Sequence, residues 1–183
     1  MVIGDLDRAR LRKPVPRARV GEALMGLAIP AGLRLTASSG GPIEPLRDTD
    51  PAAVIYFYPG TPSSPDGGGG SESADVAQQR AFDRHRDDFS AHALRSIGIS
   101  SASRRALRTS IFENRIVYHD IWSDPQFLLG QALGLPAFEH EGNLGYRRLT
   151  MVIRDGQIAK VFFPVDCPER SAAQVICWLK AAG

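Results

Sequence analysis

The chain contains two thiols, and their surroundings indicate what redox chemistry they could perform. Cys167 stands in the stretch Asp166-Cys167-Pro168-Glu169, which is predicted to open a helix with a capping box. A thiol near a helix N-terminus can have a lowered pKa and react as the thiolate, although the neighbouring acidic side chains oppose that shift. Cys177 has the helical spacing of a core residue. Cys167 is therefore a candidate redox residue, with an unreactive thiol as the alternative.

Other chemistry-bearing residues do not form a recognisable metal or phosphate site. The four histidines, His85, His92, His119 and His140, are scattered without the spacing of a zinc motif, and two cysteines are too few for a zinc cluster. The glycine run at 67–70 lacks the lysine of a phosphate-binding loop. We expect no metal and no cofactor.

Composition limits the class of protein further. A chain of 183 residues that is 43% hydrophobic suits one domain, which we place at 21–183 after a basic arm at 1–20. The net charge of +2 gives no basis for nucleic-acid binding. No apolar run approaches the roughly 18 residues that span a bilayer, and no apolar leader segment begins the chain. We therefore expect a cytoplasmic protein that does not bind membranes.

Strand and helix patterns alternate along the chain, which predicts a mixed sheet with helices on both faces. The unbroken apolar run at 52–58 is the best strand, and Asp155-Gly156 indicates a type I′ hairpin. Ser123-Asp124-Pro125 supplies a helix N-cap. The predicted strands are 33–36, 43–46, 52–58, 94–100, 116–121, 149–154 and 157–163, and the predicted helices are 75–93, 103–113, 127–133 and 166–180. In the helix at 103–113 we expect Ala106, Leu107 and Ile111 to face inward.

Three short stretches carry a resemblance to a known family. They are Tyr56-Phe57-Tyr58-Pro59, the segment 81–85 followed by Phe89, and Arg147-Arg148-Leu149-Thr150 leading into 152–156. In this order they resemble the peroxiredoxins of the alkyl hydroperoxide reductase and thiol-specific antioxidant group. The resemblance spans about 20–182 and implies an α/β, thioredoxin-like fold of peroxiredoxin type with an N-terminal β-hairpin. It also implies a homodimer.

The chain departs from this family at the residue that carries the chemistry. The family keeps a peroxide-reducing cysteine in the pattern P-x-x-x-[ST]-x-x-C, and no cysteine stands there. Counting from Pro59 places Asp66 at that position, whereas counting back from the helix at 81–82 places Asp75 there. We prefer Asp75, because a helix anchor tolerates a variable loop before it. A carboxylate cannot form a sulfenic acid, so thiol peroxidase turnover should be lost.

The resemblance also suggests what the remaining pocket could contain. Arg148 corresponds to the family's active-site arginine, with Arg147 as its competitor or a solvated position at the strand edge as the alternative. Asp75 would imitate the thiolate within reach of Arg148, or would only cap the helix. We predict that this pair depresses the pKa of the aspartate. With His85, Asp75 and Arg148 are the candidate catalytic residues, and Tyr58, Pro59 and Thr61 are the candidate substrate-binding residues at the floor and rim.

Three functional classes follow. The first is an enzyme that applies acid–base or electrostatic catalysis by Asp75 and Arg148 to a small organic molecule. The second is a non-catalytic binding or regulatory protein. The third is a residual peroxidase or antioxidant oxidoreductase that works through Cys167. Convergence of Asp75 and Arg148 in an accessible pocket separates the first class from the second, and the reactivity of Cys167 identifies the third.

Overall fold

The structure is a computed structural model and describes residues 19–60, 73–117 and 120–182. The strands are β1 (Leu35–Ala37), β2 (Pro42–Ile43), β3 (Ala52–Tyr58), β4 (Arg95–Ser100), β5 (Ile121–Ser123), β6 (Ala137–His140), β7 (Asn143–Tyr146), β8 (Leu149–Arg154) and β9 (Gln157–Phe162). The helices are α1 (Val20–Leu24), α2 (Pro45–Asp48), α3 (Ala74–Arg84), α4 (Arg86–Ala91), α5 (Arg104–Glu113), α6 (Leu128–Leu133) and α7 (Ser171–Ala182), and a 3₁₀ turn covers Pro168–Arg170. Residues 1–18 of the predicted arm, and Asp66, lie outside the described residues.

The main sheet is mixed, as predicted. Within the described residues it has seven strands in the order β2-β1-β5-β4-β3-β8-β9. Strand β3 is parallel to β4 and antiparallel to β8, and six of its seven residues are buried. Its near-continuous apolar sequence matches a strand covered on both faces. Together with the helices, this arrangement confirms the predicted thioredoxin-like architecture.

Alternation along β3 divides the core into two layers. Ile55 and Phe57 face a cluster that includes Trp122 from β5, whereas Tyr56 and Tyr58 face a cluster with Phe82 from α3. The rings of Tyr56 and Phe82 stack with centroids 4.1 Å apart, which fixes α3 against the sheet. The layer between β3 and α3 contains the candidate site.

The predicted helix at 75–93 is two helices. Ser73 caps α3, because its Oγ accepts a hydrogen bond from the Val76 N–H at 3.3 Å. The helix ends at Arg84, and α4 begins at Arg86 after a break at His85. Asp75 therefore lies in the first turn and is not the capping residue.

Four further expectations about the elements were wrong. The predicted strand at 116–121 is instead β5 at Ile121–Ser123, because hydrogen bonding to β4 and β1 runs on to Ser123. Leu46 belongs to α2, since Pro45 at its first position favours a helix. Ala106 is exposed, although it was predicted to face inward. The last helix begins at Ser171 after the 3₁₀ turn, so there is no capping box at 166–169.

Two local predictions are confirmed and one element was missed. The carboxylate oxygens of Asp124 accept from the first N–H groups of α6, those of Leu128 at 2.8 Å and Leu129 at 3.0 Å, although the residue at the N-cap position itself is Phe127. Asp155 and Gly156 both have positive φ, as a type I′ turn between β8 and β9 requires. The hairpin of β6 and β7 was not predicted. Among the described residues, no helix is long and apolar enough to cross a bilayer.

Candidate functional site

Three elements bring the site residues together at one edge of the sheet. Tyr58 ends β3, Arg148 immediately precedes β8, and Asp75 lies in the first turn of α3. Phe57 pairs with Leu149 in the antiparallel ladder, so the next residues, Tyr58 and Arg148, are neighbours on the opposite face. That face is the one that α3 covers.

Asp75 and Arg148 form a buried ion pair, which confirms the predicted contact. Arg148 Nη2 donates to Asp75 Oδ1 at 2.5 Å. The Gly60 N–H donates to the other oxygen, Oδ2, at 2.9 Å. The side chain of Arg148 is 2% exposed and that of Asp75 is 18% exposed. Both carboxylate oxygens therefore have a donor, and a solvated position for Arg148 is wrong.

Gln78 holds the arginine from a second side. Its Oε1 accepts a hydrogen bond from Arg148 Nη1 at 3.0 Å, and the residue is fully buried. Gln78 follows Asp75 by three positions, so the two side chains lie on one face of α3. Sequence reasoning missed this residue, although a glutamine at that spacing on an inward helix face was a usable signal.

Burial controls the protonation of Asp75. Loss of solvent raises the pKa of this carboxyl, and the charge and hydrogen bond of Arg148, with the Gly60 N–H, offset the rise only in part. The expected depression of the pKa by the ion pair was therefore wrong. The position is too far from water for one cation to compensate fully.

This raised pKa predicts how stability depends on pH. Between the ordinary carboxyl pKa and the raised native value, the folded state holds a proton that the unfolded state has released. The unfolding free energy of the wild type minus that of Asp75→Asn should therefore increase as pH falls from 7 towards 4. Urea denaturation across that range measures it. Asp88→Asn is the control, because the hydrogen bond from His85 lowers the pKa of Asp88 and its contribution is lost on acidification. A difference for Asp75 that shrinks on acidification would contradict the prediction.

Of the predicted floor and rim residues, the structure describes two. Tyr58 is buried, and its hydroxyl has no hydrogen-bond partner among the described residues. Burial raises the pKa of Tyr58 well above its ordinary value, so its phenol stays protonated. Pro59 lines a cleft near the end of β3. Thr61 lies outside the described residues.

A cleft of about 300 Å³ has Gly60, the residue whose N–H donates to Asp75, in its lining. One wall is the segment Pro59–Gly60, and the other is the β6–β7 hairpin. Ser101, His140 and Asn143 supply polar groups, while Phe138 and Leu144 supply apolar surface. Ser101 Oγ donates to the Pro59 carbonyl at 3.2 Å and so links the two strand ends.

The structure does not bring His85 to this site. Ten residues of helix, about 15 Å at the usual rise, separate it from Asp75. At the far end of α3 its Nδ1 lies 2.7 Å from Asp88 Oδ2. Cys167 is exposed directly before the 3₁₀ turn, which continues into α7 at Ser171. Cys177 is exposed as well, so its predicted core position was wrong. Among the described residues, no group of three or more histidine, cysteine, aspartate or glutamate side chains could hold a metal ion.

Comparison with solved structures identifies the fold. No protein-family model matches the chain, and no curated protein is significantly similar to it. The peroxidoxin BcpB from Mycobacterium tuberculosis superposes with a TM-score of 0.70 at 19% identity, over 87% of this chain and 97% of the other. The chain has a peroxiredoxin fold. A peroxiredoxin Prx3 from Vibrio vulnificus, solved in complex with hydrogen peroxide, gives a TM-score of 0.67 at 16% identity, over 86% and 96% of the two chains.

A third solved structure of peroxiredoxin fold also superposes on this chain. It is the bacterioferritin comigratory protein from Xanthomonas campestris, described for its alkyl peroxide reduction activity, with a TM-score of 0.65 at 20% identity over 94% of this chain and 98% of the other. The present chain has the same fold but no cysteine before residue 167.

Proposed function

We propose that this protein uses the peroxiredoxin fold without thiol peroxidase chemistry, as a non-catalytic protein that binds a small organic molecule beside the Asp75–Arg148 pair. One observation carries the proposal. A carboxylate lies at the start of α3 with one oxygen on Arg148 and the other on the Gly60 N–H. This anion uses the helix N-terminus and the arginine as a thiolate would, but it has no redox chemistry.

The closed pair favours binding over catalysis. A general base needs an oxygen within reach of a substrate proton. Both oxygens of Asp75 already accept strong hydrogen bonds, and the side chain is mostly buried. A substrate would have to separate Asp75 from Arg148 before proton transfer. The pair therefore acts as a fixed support for Gly60, whose segment forms one wall of the cleft.

The cleft supplies the ligand site in this proposal. Its volume of about 300 Å³ is at the lower end of the roughly 300–1,000 Å³ of small-molecule sites. Phe138 and Leu144 suit an apolar body, and His140, Asn143 and Ser101 suit a polar head group. A small amphipathic organic molecule, such as an aromatic carboxylate or amide, fits this lining.

Binding is tested by titrating benzoate and benzamide into the isotope-labelled protein and following backbone amide shifts. We expect saturable shifts at Gly60, Ser101 and Gly145. His140→Ala should weaken binding at least several-fold, because it removes a polar group of the lining. His92→Ala is the matched control and should change nothing. If the ligands cause no amide shifts, or if His140→Ala binds them as tightly as the wild type, the cleft is not the ligand site.

Acid–base catalysis is the second candidate, and the burial that raises the pKa of Asp75 favours it. Under this alternative the ligand separates the ion pair. A crystal structure with the bound molecule distinguishes the two, because the Asp75–Arg148 contact is retained in the binding protein and broken in the enzyme.

A further inference from the structure

The outer face of α5 leaves a large aromatic side chain in solvent. Phe112 is 86% exposed. Leu107 and Ile111 form the buried inner face of the helix and pack in the core. Phe112 therefore contributes little to the core. A single exposed apolar side chain is common on protein surfaces, so its meaning depends on the surface around it.

Two shallow clefts meet at this phenylalanine. One, of about 550 Å³, is lined by Arg104, Arg105, Arg108, Thr109, Phe112 and Glu113. The other, of about 500 Å³, lies towards the β1–β2 turn and includes Ser38, Arg108 and Arg115. Phe112 and Arg108 line both clefts, so they form a ridge between two concave surfaces. We refer to these residues together as the α5 surface.

The charge of the α5 surface is strongly one-sided. It has four arginines and one acidic side chain, Glu113. Arg104 donates to the Ser38 carbonyl at 3.4 Å. In the part of the chain that the structure describes, no carboxylate pairs with Arg105, Arg108 or Arg115. Arginine and aromatic side chains in one patch are the residue types that dominate binding energy at protein interfaces.

We infer that the α5 surface binds an acidic segment of a partner protein, with carboxylates on the arginines and an apolar side chain against Phe112. A symmetric contact with a second copy that is centred on Phe112 would bring the arginines of the two copies together, which is electrostatically unfavourable. A nucleic acid fits less well, because the chain has a net charge of only +2 and the patch has one exposed aromatic ring.

The test uses three fluorescent probes with the full chain at 0.05 M salt. They are an acidic peptide of alternating glutamate and leucine with one tryptophan, the same peptide with glutamine for glutamate, and an oligothymidine of similar length. We expect saturable binding of the acidic peptide alone, at least tenfold weaker at 0.5 M salt because the charges are exposed and screened. Amide shifts should map to α5.

Variants distinguish the α5 surface from general attraction. The double change Arg105→Glu and Arg108→Glu should weaken peptide binding at least tenfold, and Phe112→Ser several-fold. The double change Arg34→Glu and Arg154→Glu, away from α5, is the charge-matched control and should have a much smaller effect. Equal loss in the control, tighter binding of the oligothymidine, no binding of the acidic peptide, or dimerisation abolished by Phe112→Ser would each overturn the proposal.

Discussion

Replacing Arg148 with methionine is expected to lower the free energy of unfolding by about 3–5 kcal/mol, because a buried ion pair that loses one partner leaves an uncompensated buried charge. Arg148 is almost completely buried, and Asp75 is largely buried beside it. Gln78 would also lose the donor to its Oε1. Methionine preserves much of the apolar stem, so packing loss adds little. Urea denaturation followed by circular dichroism measures the change.

Two further variants show whether the loss of stability in Arg148→Met comes from the broken Asp75–Arg148 pair. Arg154→Met changes an exposed arginine at the far end of β8 and should shift stability by about 0.5 kcal/mol or less. Adding Asp75→Leu to Arg148→Met should recover much of the loss, because well-packed apolar residues often replace a buried pair without cost. If Arg148→Met is no more harmful than Arg154→Met, the pair is not a buried structural unit.

The sequence predicted the elements whose patterns are locally complete. Strand β3 is an unbroken apolar run between Pro51 and Pro59, and the β8–β9 hairpin has its turn residues in place. The position of β5 depends on its pairing with β4 and β1, which are distant in the sequence. Within the described residues β6 and β7 pair only with each other, so the missed hairpin is local, and the turn residues Glu141 and Gly142, which both have positive φ, were its usable signal. Apolar residues near 116 resemble a strand, but Ile116 packs from a loop after α5. Local periodicity does not contain that information.

The candidate site was predictable only in part, for a similar reason. Counting from the inward face of α3 places Asp75 in its first turn, and alternation at the start of β8 allows one of two arginines to face it. The Gly60 N–H has no sequence signal, because any residue except proline supplies one. The direction of the Asp75 pKa shift depends on how deeply the carboxyl is buried, which spacing does not reveal. His85 was excluded by the length of the helix.

Asp75→Cys is expected to create a peroxide-reactive thiol. The new thiolate would lie at the N-terminus of α3 beside Arg148 and within reach of the Gly60 N–H, and each of these lowers a thiol pKa. An ordinary cysteine is only a few per cent thiolate at pH 7. Ionisation alone should therefore accelerate its reaction about 10- to 30-fold over an unperturbed cysteine.

The expected reaction of the Asp75→Cys variant is oxidation of the new thiolate by hydrogen peroxide. The thiolate sulfur attacks one oxygen of hydrogen peroxide, the O–O bond breaks, and hydroxide leaves and is protonated to water, so the cysteine becomes a sulfenic acid. The background is Cys167→Ser with Cys177→Ser, which removes the native thiols. Ala77→Cys is the matched control, since it places a thiol on the same helix two residues further on and facing away from Arg148.

Hydrogen peroxide consumption at pH 7 with dithiothreitol, measured for the wild type beside the cysteine variants, tests the central claim most directly. We expect no consumption above the reductant alone for the wild type and for its cysteine-free variant. Asp75→Cys should consume peroxide at least tenfold faster than Ala77→Cys, with a trapped sulfenic acid seen by mass spectrometry. Wild-type turnover that disappears in Cys167→Ser, or an Asp75→Cys variant no faster than Ala77→Cys, would contradict the replacement of a thiolate by the Asp75–Arg148 pair.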